Sequence, residues 1–184
     1  MVISNHFGAL EPLVLAAQMP VAFVAKAEIA DWPLIGWITS TMGVIFVERG
    51  RANRYAPFLE QVEARMSAGV MVLAFPEGTT TAGDRLLPFK TGVFEAVRGR
   101  EQAAIYPCFA RLKEVDGTPV GRKAQRDASW AGGAKNFFTY AWHLLGLKRP
   151  VLSVKIGRSI APDHLDRKQL ASRARKAVLQ LANQ

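Results

Sequence analysis

Apolar positions along this chain gather into short runs separated by longer stretches of mixed character. Strand-like runs occupy 2–3, 21–24, 44–47, 70–75, 103–110 and 151–156, and helix-like stretches lie at 11–18, 34–41, 54–67, 92–98, 134–147 and 167–182. The alternation predicts an α/β sandwich, a largely parallel central sheet flanked by helices. Residues 115–133, rich in Gly, Asp, Lys and Arg, read as one long loop between a part spanning 1–110 and a basic C-terminal part spanning 134–184. Neither side carries enough core to stand alone, so 1–184 is expected to form a single domain.

Composition agrees: 49% of the 184 residues are hydrophobic and 21% charged, which suits a globular chain with a sizeable core. The single cysteine, Cys108, sits in an apolar segment and is expected to be a buried thiol, which favours the cytoplasm. The three His residues, at 6, 143 and 164, show no metal-ligand spacing, and no metal is expected.

Charge is unevenly placed. Residues 1–92 carry 7 Lys/Arg against 8 Asp/Glu and residues 93–184 carry 17 against 7, so the halves stand near −1 and +10. A nucleic-acid partner is not expected, because no recognition motif or stacking platform accompanies the charge. An anionic membrane surface fits better. The most apolar stretch, 32–47, is interrupted by Pro and Gly and too short to span a bilayer, and no secretory signal precedes it. Peripheral attachment at the cytoplasmic face is the expectation. Residues 137–149, Phe-Phe-Thr-Tyr-Ala-Trp-His-Leu-Leu-Gly-Leu-Lys-Arg, suit an interfacial helix by their aromatics beside Lys and Arg. A helix apolar most of the way round is usually buried, so core packing is the reading taken. The basic helix at 167–182 is expected to present a solvated cationic face.

Two segments carry candidate chemistry. His6 stands five positions before Glu11 at the end of an apolar run, and a carboxylate holding one imidazole nitrogen leaves the other as a general base. On one helix a spacing of five turns the side chains by roughly 500°, so a bend is needed between them. Phe7-Gly8-Ala9-Leu10 can supply it, with Pro12 in the first turn of the helix that follows. No Ser or Cys nucleophile signature is present, which points to a base that activates a substrate hydroxyl. The second segment, Phe75-Pro76-Glu77-Gly78-Thr79, follows an apolar strand and so lies where α/β proteins gather their sites.

These segments belong to four ordered blocks: Asn5-His6-Phe7-Gly8-Ala9-Leu10-Glu11; Lys26-Ala27-Glu28 through Trp32-Pro33-Leu34-Ile35-Gly36-Trp37 to Phe46-Val47-Glu48-Arg49; Phe75 to Thr81 with Leu87-Pro88-Phe89-Lys90-Thr91-Gly92; and Ile105-Tyr106-Pro107. In order and spacing they resemble the glycerolipid acyltransferase family, whose members make phosphatidic acid and related lipids from lysophospholipids. The resemblance implies transfer of a fatty acyl group from acyl-CoA or acyl carrier protein to the free hydroxyl of a lysophospholipid, 1-acylglycerol-3-phosphate first. Lysophosphatidylcholine and a lyso-ornithine lipid are the alternative acceptors, and a membrane-binding homologue without turnover is the alternative outside enzymes. It further implies His6 and Glu11 as the catalytic pair, Lys26 and Arg49 as the phosphate site, and Glu77, Gly78 and Thr79 as the rest of the acceptor pocket. The thioester supplies the driving force, so no cofactor is expected.

The chain departs from the family pattern at three positions. Glu11 replaces the usual Asp, Gly8 stands where Ser is common, and Thr80 stands where many phosphatidic-acid-forming members carry Arg. Restoring Asp at position 11 is expected to preserve or improve activity. Only four residues precede Asn5, whereas family members usually carry a docking segment first. The expectation is that such a segment has been lost or that the chain docks by other means.

Overall fold

The computed structural model describes residues 1–32, 35–41, 43–48, 55–131 and 137–184. Among these residues seven strands form one sheet: β1 (Val2–Ser4), β2 (Val21–Lys26), β3 (Ile45–Val47), β4 (Met71–Ala74), β5 (Tyr106–Val115), β6 (Thr118–Pro119) and β7 (Val151–Ile156). Their order is β3-β2-β4-β1-β5-β6, with β7 also paired to β5. The pairs from β3 through to β5 are all parallel, and only β6 and β7 run antiparallel to β5. The α/β expectation therefore holds, with an antiparallel margin.

Each short central strand sends successive side chains to opposite faces, so the apolar runs divide between two cores. Ile3, Ala22, Ile45, Val72 and Ala74 join one cluster, and Val2, Phe23, Leu73 and Cys108 the other. On the first face α3 (Tyr55–Ser67) contributes Phe58 and Val62, one helical turn apart. Beside it α6 (Arg167–Ala182) contributes Leu170, Ala174 and Val178. On the second face α1 (Leu10–Gln18) contributes Leu15. A capping box starts α6: Asp166 accepts from the Lys168 and Gln169 amides at 2.7 and 2.8 Å, and the Gln169 side chain accepts the Asp166 N–H at 2.9 Å.

Several local expectations need correction. Residues 115–133 are not a bare loop: Asp116 and Gly117, at φ 50° and 75°, make a hairpin turn into β6. The Asp-Gly pair was its legible signal. A helix, α4 (Arg122–Asp127), follows. The fifth strand begins later and runs longer than expected, because Ile105 makes only an isolated bridge to Ile160. The stretch 92–98 is a 3₁₀ turn, Gly92–Ala96, instead of an α-helix. The helices expected from 34 and 134 are described as α2 (Ile35–Thr41) and α5 (Phe137–Leu145). Contrary to the core-packed reading, α5 buries Tyr140 and leaves Phe138, Trp142 and Leu145 largely exposed. Among the described residues no helix is long and apolar enough to cross a membrane.

Candidate active site

Parallel pairing brings the two motif segments together. Ile3 stands beside Ala74 in adjacent parallel strands, so the chain leaves β1 and β4 at the same edge of the sheet. His6 and Glu77, 71 positions apart, meet there: the His6 N–H donates to Glu77 Oε1 at 2.8 Å. Asn5 secures the exit. Its amide oxygen accepts the Ala110 N–H at 2.8 Å and its amide nitrogen donates to the Ala110 carbonyl at 2.9 Å. A side-chain amide thus continues the β1–β5 ladder for one residue after the strand has turned away.

The bend required by the spacing of five is built around one oxygen. Glu11, fully buried in the first turn of α1, accepts at Oε1 from His6 Nδ1 (2.5 Å) and from the Phe7 and Gly8 amides (2.7 and 2.9 Å). The three donors wrap 6–8 about a buried carboxylate and orient the ring by the same contact. With Nδ1–H given to Glu11, the neutral ring carries its lone pair on Nε2, the position a general base needs. The His6 side chain keeps 23% exposure and stacks on Phe75, ring centroids 4.2 Å apart.

The remaining candidates separate. Glu77 is buried, and both its oxygens hold backbone: Oε1 the His6 amide, Oε2 the Leu87 amide at 2.8 Å. Burial raises its pKa above the ordinary value, and the two amide hydrogen bonds oppose that shift. It braces His6 from inside. Gly78, at φ +71°, donates its N–H to the Phe75 carbonyl at 3.0 Å, so that amide closes the turn. A Cβ there would stand 2.8 Å from the Lys90 side chain, so the loop needs glycine on both counts. Thr79 is exposed beside it, and Lys26 is exposed at the end of β2, on the sheet edge where β1 and β4 also end. Arg49 lies outside the described residues. Among the described residues no group of three or more His, Cys, Asp or Glu side chains is placed to hold a metal ion.

Next to Phe75 opens a cavity of about 540 Å³, walled mainly by apolar groups from Val24, Val47, Phe58, Ala74, Phe75 and Val93. Lys90, from the third block but not foreseen as a site residue, stands at this cavity with Gly78. The outer support of the His6–Glu11 turn was not foreseen either. Trp130 donates its N–H to the Phe7 carbonyl at 2.8 Å, Thr81 donates to the His6 carbonyl at 2.9 Å, and Tyr140 Oη accepts the Ala9 N–H at 2.9 Å. The Thr80 hydroxyl donates to the Trp130 carbonyl. Gly8 was the local trace of Tyr140: a Cβ on it would stand 2.1 Å from the Tyr140 hydroxyl.

This fold, with a His–carboxylate pair at a parallel sheet edge, belongs to a family already suggested by the blocks. A family model named Acyltransferase matches residues 1–111, and the chain belongs to that family. It is 32% identical over 181 residues to lyso-ornithine lipid O-acyltransferase of Brucella abortus, covering 93% of this chain and 66% of the relative. To the protein of the same name from Rhizobium meliloti it is 30% identical, covering 91% and 60%. To 1-acyl-sn-glycerol-3-phosphate acyltransferase of Neisseria meningitidis it is 33% identical over 154 residues, covering 84% and 57%. The chain thus spans somewhat less than two thirds of the length of these relatives. The crystal structure of PlsC, the 1-acyl-sn-glycerophosphate acyltransferase of Thermotoga maritima, matches with a TM-score of 0.58 at 21% identity, covering 100% of this chain and 66% of that one. At that identity the likeness shows the fold.

Proposed function

We propose that this protein transfers a fatty acyl group from the thioester of acyl-CoA or acyl carrier protein to the free hydroxyl of a lyso-lipid. The observation that carries this reading is the His6–Glu11 contact, Nδ1 to Oε1 at 2.5 Å, on the ring that stacks against the wall of an apolar cavity. Nε2 takes the hydroxyl proton as the acceptor oxygen attacks the thioester carbonyl. A C–O bond forms, the C–S bond breaks, and the proton passes from the imidazolium to the departing thiolate. Buried Glu11 stabilises the imidazolium that forms in between. The cavity suits an acyl chain, and the thioester bond supplies the free energy without a cofactor.

Lys26, Arg49 and Lys90 are the cations proposed to meet the acceptor head group. The sequence blocks favour 1-acylglycerol-3-phosphate, whose phosphate such cations would hold. A lyso-ornithine lipid is the second reading, favoured by two observations. The Brucella and Rhizobium relatives bear that name, and Thr80, standing where a phosphate-binding Arg is common, gives its hydroxyl to Trp130 instead. Thiol release from acyl-CoA, measured with each lyso-acceptor in turn, decides between them. His6→Ala should lower acceptor-dependent release by roughly 10²–10⁴-fold in a folded chain. Full activity in that variant would sink the mechanism, and release that ignores every acceptor would sink the transferase reading.

A further inference from the structure

The catalytic chemistry leaves α5 unexplained. Phe138, Trp142 and Leu145 are 70%, 79% and 81% exposed, and their spacing of four and three sets them in one stripe along the helix. Tyr140, fully buried, points the other way, stacks on Trp130 with centroids 5.7 Å apart and holds the Ala9 amide in the turn between His6 and Glu11. The helix is therefore fastened to the catalytic turn by its inner face while its outer face offers large apolar groups to the surroundings.

Cations predominate in the segments before and after the stripe. Residues 121–149 contain six Lys/Arg and one acid, Asp127. Arg122, Lys123 and Arg126 are exposed on α4, whose C-terminal end meets Tyr140 through the Ala128 carbonyl, and Lys148 and Arg149 are exposed just beyond α5. Lys123 and Arg149 make ion pairs with Asp127 and Asp116, and these exposed pairs give way readily to other anions. A Trp and a Leu exposed on a helix that runs into Lys148 and Arg149 match the anionic, amphipathic interface of a lipid bilayer.

We propose that α5 is the surface by which this protein docks on an anionic bilayer, with Trp142 and Leu145 entering the interface. Docking there sets the His6 turn beside the layer from which a lyso-lipid acceptor would come. In that purpose alone the proposal rests on the acyl-transfer reading.

Co-sedimentation of the chain with phosphatidylglycerol–phosphatidylcholine vesicles, at low and high salt, tests it. The Trp142→Ser/Leu145→Ser double variant should bind at least about tenfold more weakly at high salt, where screening leaves the apolar term. Its activity toward a vesicle-borne acceptor should fall in parallel, while activity toward a monomeric short-chain acceptor and the thermal midpoint stay unchanged. Wild-type chain that does not sediment, or a double variant that binds as tightly, overturns the proposal. So does a wild-type dimer that the double substitution dissociates, which would give the face to a second copy. Salt-sensitive capture by acidic acyl carrier protein, lost in the variant while vesicle binding persists, overturns it as well. Loss of vesicle binding in the variant supports docking even if no acceptor turns over, a result that would count against the acyl-transfer reading alone.

Discussion

Glu11 shows how much one carboxylate oxygen can organise. Family resemblance suggests that Asp at this position would serve as well or better, whereas the geometry predicts the opposite. The turn at 6–8 is wound to the length of Glu, with three donors within 2.9 Å of Oε1. Asp would withdraw the oxygen by about 1.5 Å, one carbon–carbon bond. Turnover of Glu11→Asp should drop roughly 10²-fold, the scale for misplacing a catalytic group by an ångström, and steady-state kinetics on the folded variant would show it. Glu77 offers a separate test of bracing. Glu77→Gln can satisfy only one of the two amides now bonded, and the other, left buried, should cost about 1–3 kcal/mol in chemical denaturation. The pH dependence carries a sign. Burial raises the Glu77 pKa from its ordinary 4.5, so folding disfavours its charged form relative to the unfolded chain. Measured against Glu77→Gln, the stability advantage of the wild type should be greatest below about pH 4.5 and shrink as pH rises through the elevated pKa. A difference that grew with pH instead would mean that the amide hydrogen bonds outweigh burial.

Among the elements, α6 does more than its composition suggests. Its cationic face reads as solvated, yet Arg175 reaches across to donate to the Leu86 and Leu87 carbonyls at 2.7 and 2.9 Å. Leu87 in turn gives its amide to Glu77, which holds the His6 amide, so the C-terminal helix is linked to the His6 turn through three residues. Arg175→Ala should cost about 1–2 kcal/mol, reduced from the full charged-hydrogen-bond range by its partial exposure. It should also lower turnover several-fold, while a neighbouring exposed change such as Arg173→Ala does neither; paired melting curves and rate measurements make the comparison. The Leu86-Leu87 stretch is thus held from the far end of the sequence, and no local pattern within it reveals the contact.

Taken as a whole, the chain combines a motif half near −1 with a half near +10, and the sheet joins them directly: β1 pairs with β5 along Val2 to Ser4. Excess charge on exposed side chains acts at a distance set by salt. At low ionic strength the wild type should bind anionic vesicles more tightly than neutral ones, and the preference should fade as the Debye length shortens to about 10 Å at 0.1 M salt. Equal binding to both lipid compositions at low salt would separate the basic half from any membrane role.

The motif blocks, the alternation of strands and helices and the dyad itself were legible in the residues, because each rests on local rules: apolar runs, turn chemistry, and a His and a carboxylate too oddly spaced for one helix. Asn5 was visible as a motif residue, but its task, standing in for backbone beside Ala110, exists only once β1 and β5 are adjacent. Glu77 reads from the blocks as part of the acceptor pocket, and its contact with the His6 amide exists only once β1 and β4 are adjacent. The outward stripe of α5 was hidden for a related reason. Its residues are apolar nearly all round, and composition does not say which side meets the protein; Tyr140, anchored to Ala9 across 131 positions, settles that orientation. Periodicity and turn propensity act between near neighbours, whereas contacts between distant segments form only when the sheet closes and are invisible to any window along the chain.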